Sequence, residues 1–253
     1  MAAIENIIPE NLSRLWAAED ELLHWARDVV ASQEYMYLQD HIGFAEVYMD
    51  CVEVLRRNAP DGERHTALCG LFLRTFDAMS HGIRAALSGN YTGSGMYSRD
   101  LLETQFLISY LMDEVGRPES WLKADAKVRK KVFSARAVRE ALDVRDGFVG
   151  MKRKEHYDLL SEYASHPSPS GFDMKRDGQR NINAGPLKNV SLLEGCLQEV
   201  ARAALLLGAC LRLYCVEEIP DGDQFSSRLS LQLQRVHSIY FEKTDPNIEP
   251  DQP

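Results

Sequence analysis

Tyr157, Ser161 and His166 lie in one stretch, Tyr157-Asp-Leu-Leu-Ser161-Glu-Tyr-Ala-Ser-His166-Pro167, which brings a phenol, a hydroxyl and an imidazole to the end of an apolar helical pattern. Tyr157 and Ser161 are one helical turn apart, and Pro167 predicts that the helix breaks at His166. An imidazole at such a break can serve as general acid or base if a second group orients it and a cation receives an anionic substrate. Arg99 and Glu103 are the candidates for those roles, because residues four apart share a helix face. We therefore expect His166, Arg99 and Glu103 to act as a catalytic set, with Arg99 binding the anion and Glu103 orienting Arg99 or His166. Tyr157 and Ser161 would complete the pocket. Each residue also has a structural reading. Arg99 and Glu103 can be a buried clamp that fixes helix register. Ser161 can allow close helix packing while bonding the preceding turn, and His166 can cap the last carbonyls.

Charge is segregated along the chain. Between Lys123 and Lys154 there are eleven Lys or Arg against four Asp or Glu, whereas the whole chain carries a net charge of −9. Lys130, Arg136, Lys152 and Arg153 are the expected ligand-binding cations of this stretch. It can hold RNA or another phosphate ligand, form a solvated helix face, or dock an acidic partner. A pI near 5.3 argues against general nucleic-acid coating.

The remaining signals point to no cofactor and no metal. Glu21 and His24 have the spacing of a carboxylate di-iron motif, but no other His has Glu three residues before it. Gly89, Gly93 and Gly95 precede a helix without Walker or dinucleotide spacing, and the expectation there is an interhelical loop. Ser94 lacks the nucleophile-elbow pattern. Five cysteines without a CxxC pair are read as small core residues in a reducing compartment. The N-terminus has no basic region followed by an apolar run, and the longest uncharged apolar stretch, 203–211, is far below the roughly 20 residues of a membrane span. The expected location is cytoplasmic.

What positions these residues is a set of helices. Apolar residues recur at helical spacing almost throughout, and no stretch alternates as a half-buried strand does. Helices are expected at 10–30, 39–58, 63–88, 96–115, 126–144, 147–165, 190–216 and 223–242, with a short one after Pro118. The helices at 96–115 and 190–216 are apolar on nearly all sides and should be central. A Pro-, Gly-, Ser- and Asn-rich segment of about 25 residues after His166 forms a long irregular loop, with a turn at Asp177-Gly178. The fold class is all-α: a bundle of about eight helices in one domain over 1–243, followed by a flexible tail over 244–253.

Two segments, Ser98–Leu111 and Tyr157–Phe172, resemble an uncharacterised bacterial helical family associated with the HEPN superfamily of nucleotide-binding and ribonuclease domains. The resemblance covers about 30 of 253 residues. It implies a helical bundle, often dimeric, and metal-independent RNA cleavage in defence or toxin-type systems. The chain departs from the active pattern, an Arg followed at short spacing by His, because Ser161 stands where that Arg would precede His166. Two functions are therefore expected in parallel. One is an HEPN-like protein that binds RNA or a phosphate ligand, with ribonuclease activity in view. The other is a non-catalytic helical adaptor whose polar cluster is structural and whose basic helices dock an acidic protein.

Overall fold

The computed structural model describes residues 9–150 and 152–241. The tail expected over 244–253 lies outside them. Ten α-helices are present among the described residues: α1 (Glu10–Ala31), α2 (Leu38–Asn58), α3 (Glu63–Leu87), α4 (Tyr91–Met112), α5 (Arg117–Lys123), α6 (Ala126–Val132), α7 (Ala135–Arg145), α8 (Lys152–Leu160), α9 (Val190–Glu218) and α10 (Gly222–Phe241). The single antiparallel bridge among them, Arg176 with Ile182, closes the turn at Asp177. The Asp177 carboxylate accepts the backbone N–H groups of Gln179 and Asn181, which holds the turn and keeps its pKa low.

Local capping explains why the helix count exceeds eight. The pattern over 126–144 splits because the Ser134 hydroxyl accepts the N–H of Ala137 at 3.3 Å and starts α7 afresh. Asp125 caps α6 in the same way, accepting from Val128 at 2.8 Å. The fourth helix begins five residues earlier than its apolar pattern, at Tyr91, because the Asn90 side chain accepts the N–H of Gly93 at 3.0 Å. The glycine-rich segment expected to be a loop is thus mostly the first turns of α4. Gly95 serves close packing there: a Cβ at this position would lie 2.6 Å from the Ala164 Cβ.

The main core joins α2, α3, α4, α9 and α10 around Phe44, Tyr48, Phe72, Leu101, Ile108, Leu207 and Tyr214. The buried Tyr48 hydroxyl is satisfied by Thr75 Oγ1 at 2.6 Å. A second cluster packs the end of α1 against Leu38, Tyr91, Leu193 and Leu197. The start of α1 is not buried, and Leu12 and Trp16 of its apolar stripe are exposed. A third cluster, Leu102, Phe106, Val138, Leu142 and Leu160, joins α4, α7 and α8. As expected, α4 is central. By contrast, α9 is buried on one side only: Leu206, Ala209, Leu213 and Val216 face outward.

Candidate functional site

Arg99, Glu103, Tyr157 and Arg139 meet at the third cluster, where α4, α7 and α8 come together. Arg99 Nη2 lies 2.9 Å from Glu103 Oε1 and donates to the Tyr157 hydroxyl. Its Cζ is 4.8 Å from the Tyr157 ring centroid. Burial works against the Arg99 charge, but the bonds to Tyr157 and Glu103 outweigh it and raise its pKa. The Arg139 guanidinium, from α7, stacks on the same ring with Cζ at 3.8 Å from the centroid. Arg139 is only 8% exposed, and its Nε and Nη1 are enclosed without an acceptor, as is Arg99 Nε.

Ser161 and His166 do not join this group. The Ser161 hydroxyl donates to the Tyr157 carbonyl at 2.7 Å, the back-bond of its structural reading. After Leu160 the helix widens into a π turn over Ser161–Ser165, closed by the backbone N–H of His166 donating to the Ser161 carbonyl at 2.8 Å. The cap is therefore the His166 backbone, not its imidazole, which is exposed and makes no hydrogen bond or ion pair among the described residues. Geometry accounts for the separation. Ala164 sits against Gly95 and Tyr157 against Arg99, so the two rods run antiparallel, and His166 lies beyond Ala164 on the side away from Arg99. Nine residues at the helical rise put it roughly 13 Å along the rod from Tyr157. The expected contact of His166 with Arg99 and Glu103 is not formed.

Much of the basic stretch is neutralised within the fold. Arg153 Nη1 bonds Asp143 Oδ1 at 2.7 Å, and Arg153 Nη2 bonds Asp146. Arg136 pairs with Glu140 at 2.7 Å, Lys123 with Glu63 at 2.5 Å, and Lys154 with Asp158. Arg145 reaches Asp146 at 2.6 Å and Asp113 at 3.6 Å. Arg153 is mostly buried, so its pairing with α7 braces the α7–α8 turn. Lys152 is exposed, 6.0 Å from the Phe148 ring centroid. The cations left without carboxylate partners among the described residues are concentrated on α6: Lys127, Lys130 and Lys131 are exposed, and Arg129 donates through Nε to the Ala124 carbonyl at 2.8 Å.

No protein-family model, no curated protein and no solved structure matches this chain. The functional reading therefore rests on the residues themselves. No helix among the described residues is long and apolar enough to cross a membrane.

Two features escaped the sequence reading. Arg139 looked like one more cation of the basic stretch, although its neighbours Val138 and Leu142 mark the buried side of α7. The second is a polar triad. Glu199 Oε2 accepts from His156 Nε2 at 2.8 Å, and Glu199 Oε1 accepts from Arg202 at 2.7 Å. Burial pushes the Glu199 carboxyl up, but both bonds hold it below its ordinary value. Its signal was present: an acid inside the nearly uncharged α9 pattern, with Arg202 three residues on, follows the logic applied to Arg99 and Glu103. The five cysteines form no disulfide and lie in helices, with Cys51, Cys196 and Cys215 buried and Cys69 and Cys210 partly buried. Burial pushes Cys196 and Cys215 up to about 12, far from thiolate chemistry at neutral pH.

Proposed function

We propose that this protein is a non-catalytic helical interaction protein that docks an acidic protein partner through α6. The observation that carries this reading is the composition and exposure of that helix. It bears Lys127, Arg129, Lys130 and Lys131, contains no carboxylate, and leaves Val128 and Val132 exposed beside the cations. A surface that mixes branched apolar groups with unpaired ammonium groups matches a protein face carrying both acidic and apolar residues. The Arg99, Glu103 and Tyr157 cluster then serves as a clamp across α4 and α8. We test the reading by reversing Lys127, Lys130 and Lys131 to Glu. Partner capture from native host extract should be lost while the unfolding curve stays unchanged, and capture that persists overturns it.

A second reading directs the basic region at RNA within an HEPN-like protein. It is favoured by Phe148, an exposed ring with Lys152 and Arg153 close to it, the pairing of aromatic and cation used by single-stranded nucleic-acid sites. Copurified RNA, seen as excess absorbance at 260 nm and removed by nuclease, would decide for it. Ribonuclease action would further require His166 to approach a cation.

The assembly we propose is a homodimer through α9. Leu206, Ala209, Leu213 and Val216 recur at alternating spacings of three and four, the seam of paired helices, and all four face outward. They adjoin a groove of about 530 Å³ floored by Leu205, Leu206 and Ala209 and walled by Leu233 and His237.

A further inference from the structure

Arg139 is a buried cation without a counter-ion among the described residues. A guanidinium taken out of water requires acceptors for its N–H groups, and contact with the Tyr157 ring meets only part of that need. Both Nε and Nη1 remain enclosed and unbonded. Arg99, on the same ring, has its Nε in the same condition, while Glu103 engages only its Nη2. Three enclosed donors of two guanidinium groups thus gather around one tyrosine, and the one carboxylate shown beside them, Glu103, pairs with Arg99. Among the described residues no acceptor completes the group.

We propose that Arg99 and Arg139 form a binding site for the phosphoryl group of a small phosphomonoester. A carboxylate offers two oxygens, whereas a terminal phosphoryl group presents three, which matches the three enclosed donors, and its negative charge offsets the positive charge that Glu103 leaves uncompensated. The walls around the ring, Leu102, Phe106, Val138 and Leu142, are apolar and lower the local dielectric, so the pairing is stronger than it would be at the surface. A cleft of about 550 Å³ between α3, α4, α5 and α7 lies beside the group: its wall includes Glu103, which pairs with Arg99, and Val138, which precedes Arg139 in the chain, so a ligand would reach the enclosed donors by displacing part of that wall. Thr66, Thr104 and Trp121 line the same cleft and can receive the alcohol portion of the ester. The site is separate from α6 and independent of the docking reading.

The test is a phosphorus NMR and thermal-unfolding titration of the full chain with inorganic phosphate and, separately, adenosine 5′-monophosphate, against chloride at matched ionic strength. Saturable line broadening is expected, with a rise in Tm of about 5 °C at a hundredfold excess over Kd that chloride does not reproduce. Arg139→Gln and Arg99→Gln should each weaken binding about tenfold or more, because each removes charge-assisted bonds. Tyr157→Phe should keep the affinity, since the ring remains and Arg99 Nη2 is released. Failure of both probes to bind saturably overturns the proposal, as does unchanged affinity in a folded Arg139→Gln protein. Should that variant not fold, unchanged affinity in Arg99→Gln overturns it instead. Binding of free phosphate without the nucleotide overturns the assignment to an ester.

Discussion

Tyr157 joins the polar residues of three helices, and its two functions can be separated. Its hydroxyl receives Arg99, and its ring face receives Arg139. Tyr157→Phe removes one hydrogen bond and should cost about 1 kcal/mol, whereas Tyr157→Ala also removes the ring and should cost about 3 kcal/mol, as read by urea unfolding. Equal effects would mean that Arg139 draws nothing from the ring. His166 gives the opposite expectation. With an exposed, unbonded ring, His166→Ala should change stability by less than about 0.5 kcal/mol, so any loss of RNA cleavage in that variant would be chemical rather than structural. At Glu199 the sign follows from its lowered pKa. The folded value lies below the ordinary 4.5, so its contribution is present above about pH 4.5 and is lost as pH falls through the folded value. Glu199→Gln should flatten the acid limb of the stability profile measured by denaturant unfolding between pH 3 and 6 (about that range). An unchanged limb would assign acid sensitivity to other carboxylates.

The elements are set by their ends as much as by their apolar faces. Asn90, Asp125, Ser134 and Asn189 each accept a backbone N–H three residues on, at the starts of α4, α6, α7 and α9. Replacing Ser134 or Asn189 by Ala should cost about 1 kcal/mol each. The contact of α4 with the π turn makes a sharper demand. Gly95→Ala places a methyl group 2.6 Å from the Ala164 Cβ, and the overpacking of roughly 1–3 kcal/mol should exceed the gain in helix propensity of about 1 kcal/mol. Ala164→Gly in the same chain should restore most of the loss, and a double-mutant cycle measures the coupling. Additive effects would show that the two helices separate freely at this point.

At the scale of the molecule, the division of charge and of apolar surface assigns different faces to different tasks. The stretch from Lys123 to Lys154 spends many of its cations on its own acids, so its exposed excess charge emerges at α6, while Arg139 turns inward to the Arg99 cluster. The outward seam of α9 is the face assigned to self-association. Leu206→Glu with Leu213→Glu should convert a dimer to a monomer in sedimentation velocity without lowering Tm by more than a few degrees, since both side chains are already exposed. Sedimentation of the unaltered chain as a monomer at micromolar concentration would remove the seam from consideration.

The all-helical class was legible in the chain because a 3.6-residue period is a local property that each segment carries alone. The boundaries of α2, α3 and α9 and the turn at Asp177 followed from equally local signals, stop residues and side-chain caps. The pairing of Arg99 with Glu103 was also local, being one turn on one helix. Whether a cation ends in a salt bridge, on a tyrosine ring or in water depends on how distant helices cross, and spacing carries no record of that. Arg139, Arg153 and Lys130 look alike in a run of basic residues, yet packing buries the first without a counter-ion among the described residues, pairs the second with Asp143 and leaves the third in solvent. His166 was drawn toward Arg99 by its chemistry and held away from it by the antiparallel register that Gly95 and Ala164 impose.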